Sequence, residues 1–361
     1  MPQLTRIQLV LLELAAAGAA VGLAASNTWR WVNFAAGALL AILALVPLHR
    51  RWLYQLALSW VQMVRRRSSV RGPGLQSMLG GYQIITVPAG SQGTAFGVVR
   101  SGSTWALPLE LALDAVYNDD APVPVEQLAS LLRVEDVPMA TVRLLTVFSP
   151  ATPSSGPAGP VPAPPRLASR YCVITMDTAL ASDAVAARGG TEAAFNQILR
   201  RAALRCEQSL AAVGVRVRRL DDHAVTGLFQ SCIGPAGTRP DGSLPPSAED
   251  WGAVRVAGTW STSFAVSGSG AAVADALGQV AATARTPVAV TSLVLQRSGS
   301  RADLEATLLL RLSGAGSVPD RGAIDAVAER AHTAGLVLQR LDGEQGRLLR
   351  ATTPVGVGVG A

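Results

Sequence analysis

Two apolar tracts stand within the first 48 residues, "IQLVLLELAAAGAAVGLAA" (Ile7 to Ala25) and "WRWVNFAAGALLAILALVPL" (Trp29 to Leu48), with only "SNT" between them. The first holds one charge, Glu13; the second holds one, Arg30, at its very start. A helix crosses the hydrocarbon core in about 20 apolar residues, so both tracts reach. A three-residue connection then forces a tight helical hairpin. Whatever else this chain folds into is tied to a bilayer.

Arginine sets the direction. The stretch that follows, "HRRWLYQLALSWVQMVRRR" (His49 to Arg67), carries five Arg and no acid. Basic residues flanking a span are retained on the cytoplasmic side, so the C-terminal bulk, and by parity the N-terminus, is expected in the cytoplasm. Trp29 and Trp31 at one end, and Trp52 and Tyr54 at the other, suit interfacial aromatic belts. Small residues near Ala24 and Ala25 also admit a cleaved signal peptide; the second tract alone would still hold the Arg-rich flank inside.

Within the hairpin, Gly18 and Gly22 form a GxxxG face, and Gly37 with Ala41 a weaker small-xxx-small face, the kind that lets helix backbones approach in lipid. They serve packing within the hairpin or against a partner's spans. Glu13 is costly inside a membrane and usually has a partner: Arg50 or Arg51 across the hairpin, or a basic group on another subunit; the alternative is a Glu kept neutral or snorkelling to the cytoplasmic surface. Residues 49–70 read as an Arg-rich helix lying on the membrane surface. Leu53, Leu56, Leu58, Trp60, Val61 and Val64 supply its apolar area. Arg50, Arg51, Arg65, Arg66 and Arg67 meet anionic lipid headgroups at about 1 kcal/mol each. The expected domains are a transmembrane hairpin (1–48), this surface helix (49–70) and a cytosolic domain (71–361).

Charge supports that division. All 31 basic residues are Arg and the net charge is +6, yet eight Arg lie in the acid-free interval between Glu13 and Glu110. The remainder balances 23 Arg against 25 acids. A nucleic-acid binder would spread its basic footprint over the folded domain, so no nucleic-acid partner is expected. Cys172, Cys206 and Cys232 are odd in number and widely spaced, as reduced thiols are.

Beyond residue 71 the pattern alternates. "YQIITV", "TAFGVV" and "TWALPLEL" read as short strands, the last two joined by the hairpin signal "RSGS". "VPVEQLASLLRV" reads as helix from Pro124, and "ATVRLLTVF" as a strand. "SPATPSSGPAGPVPAPP", from Ser149, is too rich in proline for helix or central strand and marks a linker or long loop over 149–166. "RYCVITMD" reads as a buried strand, followed by a helix on which Phe195, Ile198, Leu199, Ala202, Cys206 and Leu210 recur at helical spacing. Gly214 ends that helix.

A strand pair is expected around "GTWSTSFAVSG" and "PVAVTSLVLQ", with a helix near Ala271 to Ala284. "LEATLLLRLSG" and the segment through "AGLVLQRLDG" repeat strand and helix: Gly335, Arg340, Leu341 and Asp342 sit 121 residues after Gly214, Arg219, Leu220 and Asp221. The fold class is therefore α/β, a layered domain with two related strand–helix–strand halves.

Candidate chemistry is sparse. Gly189 and Gly190 precede a helix, where backbone N–H groups hold anions, but the full glycine spacing of a nucleotide signature is missing. "NDD" (Asn118 to Asp120) and "LDD" (Leu220 to Asp222) are the acidic pairs that a metal-dependent sugar-nucleotide transferase would need, with Asp119 and Asp221 as the residues to test. His223 follows one of them. No catalytic, cofactor-binding or metal-ligating set emerges, and no cofactor is expected.

Assembled, the chain resembles EccE, a membrane component of the type VII (ESX) secretion system. The resemblance rests on the hairpin, the Arg-rich exit, "AFGVVRSGSTWALPLEL", "PVEQLASLLRVEDVPMATVRLLTV" and above all "RYCVITMDTALASDAVAARGGTEAAFNQILRRAALRCEQSLAAVGVRVRRLDD", whose RGG at Arg188 to Gly190 looks like the family's signature. "YCVITMD" departs from the Trp- and Arg-bearing strand of the family. The resemblance implies a non-catalytic subunit of an inner-membrane translocon, assembling with EccB, the ATPase EccC and EccD. It also implies a glycosyltransferase-like fold without a working active site. The competing expectation is a membrane-anchored glycosyltransferase using a nucleotide sugar.

Overall fold

The computed structural model describes residues 6–24, 28–48, 51–69, 78–89, 94–112, 124–149, 167–234, 247–268, 273–298 and 303–355. The chain forms two compact units, Met1–Ser68 and Ser69–Ala361.

In the first unit, Ala- and Leu-rich sequence forms α1 (Arg6–Ala24) and α2 (Thr28–Leu45). Each contains an 18-residue stretch long and apolar enough to cross a membrane. The second helix stops three residues short of the sequence expectation. Pro47 lacks a backbone N–H and pushes its predecessor out of the helical region. The chain reverses there through β1 (Pro47–Leu48) and β2 (Arg51–Trp52), paired antiparallel. α3 (Leu53–Ser69) follows, its start fixed by the Gln55 side-chain oxygen accepting from Trp52 N at 3.1 Å.

The second unit opens with β3 (Gln83–Val87), β4 (Phe96–Ser101) and β5 (Thr104–Ala112), then α4 (Val125–Ser130) and the two-residue strands β6 (Arg133–Val134) and β7 (Val137–Pro138). β8 (Thr141–Ser149), β9 (Leu167–Asp177), α5 (Ser182–Ala186), α6 (Glu192–Ala211), β10 (Arg216–Arg219) and α7 (Asp222–Ile233) come next. The remainder is β11 (Ala248–Glu249), β12 (Val254–Val256), β13 (Thr259–Ser267), α8 (Val273–Ala282), β14 (Val288–Ser298), β15 (Asp303–Ala315), α9 (Arg321–Thr333), β16 (Val337–Arg340) and α10 (Gln345–Ala351).

Twelve of these strands share one sheet in the order β11-β12-β13-β15-β14-β8-β9-β5-β4-β3, with β10 beside β5 and β16 beside β13. Every pairing among the described strands is antiparallel. The fold is α/β with a large antiparallel sheet. Successive side chains of a strand point to opposite faces, and here both faces are covered. Trp105, Leu107, Leu109, Ile174 and Leu144 pack beneath α4 and α6, and Phe264, Leu310 and Leu312 beneath α8 and α9. On the other face Leu145, Val147, Val173 and Val290 meet α7, and Val294 and Leu309 meet α10. A strand covered on both sides reads as continuous apolar sequence, which explains "TVRLLTVF".

Two sequence readings change. The helix from Pro124 ends at Ser130, and its tail forms β6, which turns into β7 through Glu135 at φ +56°. The strands β13 and β14 are not partners: β15 lies between them. The proline-rich stretch joins β8 to β9, which are antiparallel neighbours in full register. Residues 150–166 themselves lie outside the described residues.

The strands also repeat a pattern of pairing. β5 gives its N-terminal part to β4 and its C-terminal part to β10 along one edge. β13 divides itself in the same way between β12 and β16. Arg100 pairs with Trp105 in the first set, and Arg255 with Trp260 in the second. The two sets join through β8 and β14, with Leu145 opposite Ser292.

Candidate functional site

In the hairpin the small residues lie in the seam. Gln8, Ala15, Gly22, Gly37 and Ala44 are buried, and the three from α1 recur every seven residues, the spacing of one helix face packed on another. A Cβ at Gly18 would stand 3.6 Å from Asn33 O and 3.8 Å from Gly37 Cα. At Gly22 it would stand 3.3 Å from Arg30 O, and at Gly37 only 2.9 Å from Ala15 O. The backbones are therefore closest at Gly37, on the face the sequence ranked second. Ala41 is half-buried one turn further on. Gln8 went unremarked in the sequence: its side-chain amide donates to Ala44 O at 3.1 Å across the seam. Glu13 is exposed and does not face α2.

On α3 the apolar residues divide. Tyr54, Ser59 and Met63 are buried, while Leu58, Trp60, Val61 and Val64 are exposed. Trp60, Val61 and Val64 follow the i, i+1, i+4 spacing of one helical face. Arg65 is exposed; Arg50 and the side chains of Arg51, Arg66 and Arg67 lie outside the described residues.

In the second unit the RGG tract has a defined structural task. Arg188 donates to both carboxylate oxygens of Asp136, at 2.6 and 3.1 Å, and to Ala184 O at 2.9 Å. It ties the end of α5 to the β6–β7 turn. These hydrogen bonds hold the Asp136 carboxyl below its ordinary pKa and the Arg188 guanidinium above its own. Gly189 and Gly190 take φ of +96° and +67°, a region costly for any residue with a Cβ. Their N–H groups donate to Ala186 O and Val185 O at 3.0 and 2.9 Å, so both are committed to the helix end and not to an anion.

The acidic pair resolves likewise. Asp221 caps α7 by accepting from Ala224 N at 2.7 Å, the ordinary N-cap arrangement. His223 is an exposed helix residue. Asp119 lies outside the described residues. An open cleft of about 600 Å³ is lined by Thr94, Glu207, Val217, Arg218, Arg219 and Asp221. Its charges are engaged: Arg219 pairs with both oxygens of Glu207 at 2.6 and 2.9 Å, and Arg218 with Glu110. Among the described residues no three His, Cys, Asp or Glu side chains gather as a metal set.

The least expected feature is a pair of guanidinium groups at the centre of the sheet. Arg143 on β8 and Arg311 on β15 are both 0 % exposed. Among the described residues neither meets a carboxylate; both reach backbone carbonyls at helix ends. Arg143 donates to Ala351 O (3.2 Å), Thr353 O (2.8 Å) and Pro354 O (3.4 Å), beyond α10. Arg311 donates to Cys232 O near the end of α7 and to Thr352 O at 3.3 Å. Burial pulls each guanidinium down to about 10, so both remain cations at neutral pH. A helix C-terminus carries partial negative charge on its free carbonyls, and these cations answer it.

The stretch containing β9, the RGG turn, α6, β10 and α7 is also the stretch that compares with known proteins. Residues 166–266 match the EccE family. The matching model is described as "Putative type VII ESX secretion system translocon, EccE". No curated protein matches the chain. The EccE match covers the most specific tract of the resemblance, 170–222, while the hairpin, the Arg-rich exit and the segments over 95–147 lie outside it. It points to type VII secretion, and the two N-terminal helices, each long and apolar enough to cross a membrane, support a membrane protein.

Within the EccE-matched segment, the charged residues described above form the scaffold: Arg188, Arg219 and Asp221 bind neighbouring elements of the fold. Sequence inspection missed Arg143 and Arg311. Arg143 interrupts the apolar run "ATVRLLTVF" and Arg311 the run "LEATLLLRLSG", and a lone cation inside a buried strand was the signal available.

Proposed function

We propose that this protein is a non-catalytic structural subunit of the type VII (ESX) translocon in the inner membrane, assembling with EccB, the ATPase EccC and EccD. The observation that carries the proposal is the EccE match over 166–266 in a chain that also holds two membrane-length helices with an Arg-rich exit. In this reading Gly18, Gly22, Gly37 and Ala41 close the hairpin, and both termini are cytoplasmic. The helix of 49–70 lies on the membrane, with Trp60, Val61 and Val64 turned to lipid and Arg50, Arg51, Arg65, Arg66 and Arg67 meeting anionic headgroups. Residues 71–361 brace partners from the cytosolic side.

The matching order of β4-β5-α4-β8-β9-α6-β10-α7 and β12-β13-α8-β14-β15-α9-β16-α10 supports a domain of two related halves around the Leu145–Ser292 pair. No observation favours the transferase: Asp221 is spent on a helix cap.

The deciding experiment is purification of the membrane complex in mild detergent through a tag on this chain. EccC and EccD are expected to be retained, and secretion of ESX substrates is expected to stop when the gene is deleted. Recovery of the chain alone from cells with a working ESX system would overturn the proposal. For orientation, cysteines engineered into the second unit should stay unlabelled by an impermeant maleimide in intact cells.

A further inference from the structure

We infer that the face of α1 bearing Glu13 docks a transmembrane helix of another subunit, one that presents an arginine, lysine or histidine at the depth of Glu13. The inference rests on the translocon reading and adds to it the location and chemistry of a contact.

Four observations lead there. First, α1 meets α2 through Gln8, Ala15, Gly18 and Gly22. At 3.6 residues per turn, Glu13 stands roughly 160° around the helix from Ala15, on the far side from the seam. Second, its side chain is exposed, and nothing among the described residues bonds it. Third, Glu13 lies six residues beyond Ile7, where the membrane-length stretch begins. At 1.5 Å per residue that is about 9 Å into the span, further than a glutamate side chain extends. Fourth, the neighbours on that face, Ala16, Ala17 and Ala20, are small and exposed, leaving room for a second backbone to approach.

Lipid cannot satisfy a carboxylate at this depth, so the occupant must bring donors. Among the described residues, no arginine of the chain's own exit bonds Glu13. A second copy would pack parallel, because both copies insert the same way, and would set Glu13 against Glu13. Like charges repel, and removing water strengthens the repulsion. A cation on a different chain complements the site.

The test uses the full chain in the assembled membrane complex. Wild type, Glu13→Gln and Glu13→Leu are purified in mild detergent and the retained ESX subunits quantified. One subunit is expected to fall by about tenfold in Glu13→Leu, the worth of one interhelical hydrogen bond, with Glu13→Gln between the two. Bismaleimide cross-linking from Ala17→Cys is expected to join that same subunit, at a span carrying a basic residue. Leu39→Cys, on the outward side of α2, is the control expected to give no such product. Glu13→Arg should abolish retention, and exchange of the partner's basic residue for Glu should restore it.

Equal retention by wild type and Glu13→Leu overturns the inference while leaving the translocon reading in place. Cross-links only between two copies of this chain do the same. Failure of the wild type to retain any ESX subunit removes the translocon reading as well.

Discussion

Arg143 and Arg311 fix the ends of α10 and α7 on the sheet, beside the apolar contacts that seat the same helices. Each reads backbone carbonyls only, so what it recognises is the position of a helix end and not the side chains there. Arg143→Ala removes the donor from three carbonyls, of which Ala351 O keeps the Ser292 hydroxyl at 3.1 Å. We expect a loss of about 1–3 kcal/mol, the usual cost of taking the donor from a buried neutral acceptor. Chemical denaturation of the full chain in detergent measures it. Arg143→Met, which restores volume, should recover part of the loss.

The thiols sit nearby. Cys172, Cys206 and Cys232 are free and buried. Burial pushes Cys232 up to about 11 against the pull of Arg311 and Arg143, and a hydrogen bond with Cys172 together with burial pushes Cys206 up. Cys206 and Cys232 are thereby held protonated at neutral pH, the thiolate being the reactive form, and Cys172 is shielded by its burial. N-ethylmaleimide should therefore label none of them in the native protein and all three in denaturant, as counted by mass spectrometry.

Asp136 gives a pH signature. Its folded-state pKa is lowered, so the Arg188 tie contributes above the ordinary carboxylate pKa and is lost as pH falls through the lower folded value. Wild type should be more stable than Asp136→Asn at pH 7, and the two thermal midpoints should converge below about pH 4.

At the scale of the element, the hairpin seam separates glycines that look alike in sequence. A methyl group at Gly18 would find ordinary contacts at 3.6 to 3.8 Å, while one at Gly37 would collide with Ala15 O at 2.9 Å. Backbone cannot yield as a side-chain tip can. Gly37→Ala should splay the two helices and Gly18→Ala should not. Intramolecular cross-linking between cysteines placed at the two ends of the seam reports the difference. α10 is a short helix held at both poles. Glu249 accepts from Gly346 N at 2.9 Å near its start, and Arg143 reaches the carbonyls at its end. Acid at the N-terminus and base at the C-terminus both match the helix dipole. Gln345 adds a clamp, bonding Ser263 N and Ser263 O at 2.8 and 3.2 Å.

At the scale of the whole molecule, the sheet makes a prediction about the proline-rich stretch. β8 and β9 pair from Thr141 with Thr175 to Ser149 with Leu167, and β8 also pairs with β14. A protease site engineered within 150–166 should therefore cut without separation. The fragments should elute together under native conditions and part only in denaturant.

The longer strands, the hairpin and α6 were legible because each is declared by local periodicity: apolar runs of membrane length, alternating or continuous β-rich tracts, and a helical stripe ended by Gly214. The repeat of Gly214, Arg219 and Leu220 at Gly335, Arg340 and Leu341 was visible too. The second repeat, Arg100, Thr104 and Trp105 against Arg255, Thr259 and Trp260, became visible only once the strand registers aligned it.

Sequence alone determined that two apolar tracts of membrane length precede an α/β region, and which tract resembles the EccE family. The tertiary structure decided that the sheet is antiparallel, that β15 separates β13 from β14, that Gly37 is the tightest point of the seam, and that Glu13 faces away from it. It also revealed that two lone arginines close the centre of the domain. The division has a physical cause. Periodicity and composition are set by neighbours along the chain, whereas strand order, helix rotation and the partners of a buried charge depend on residues that meet only after folding.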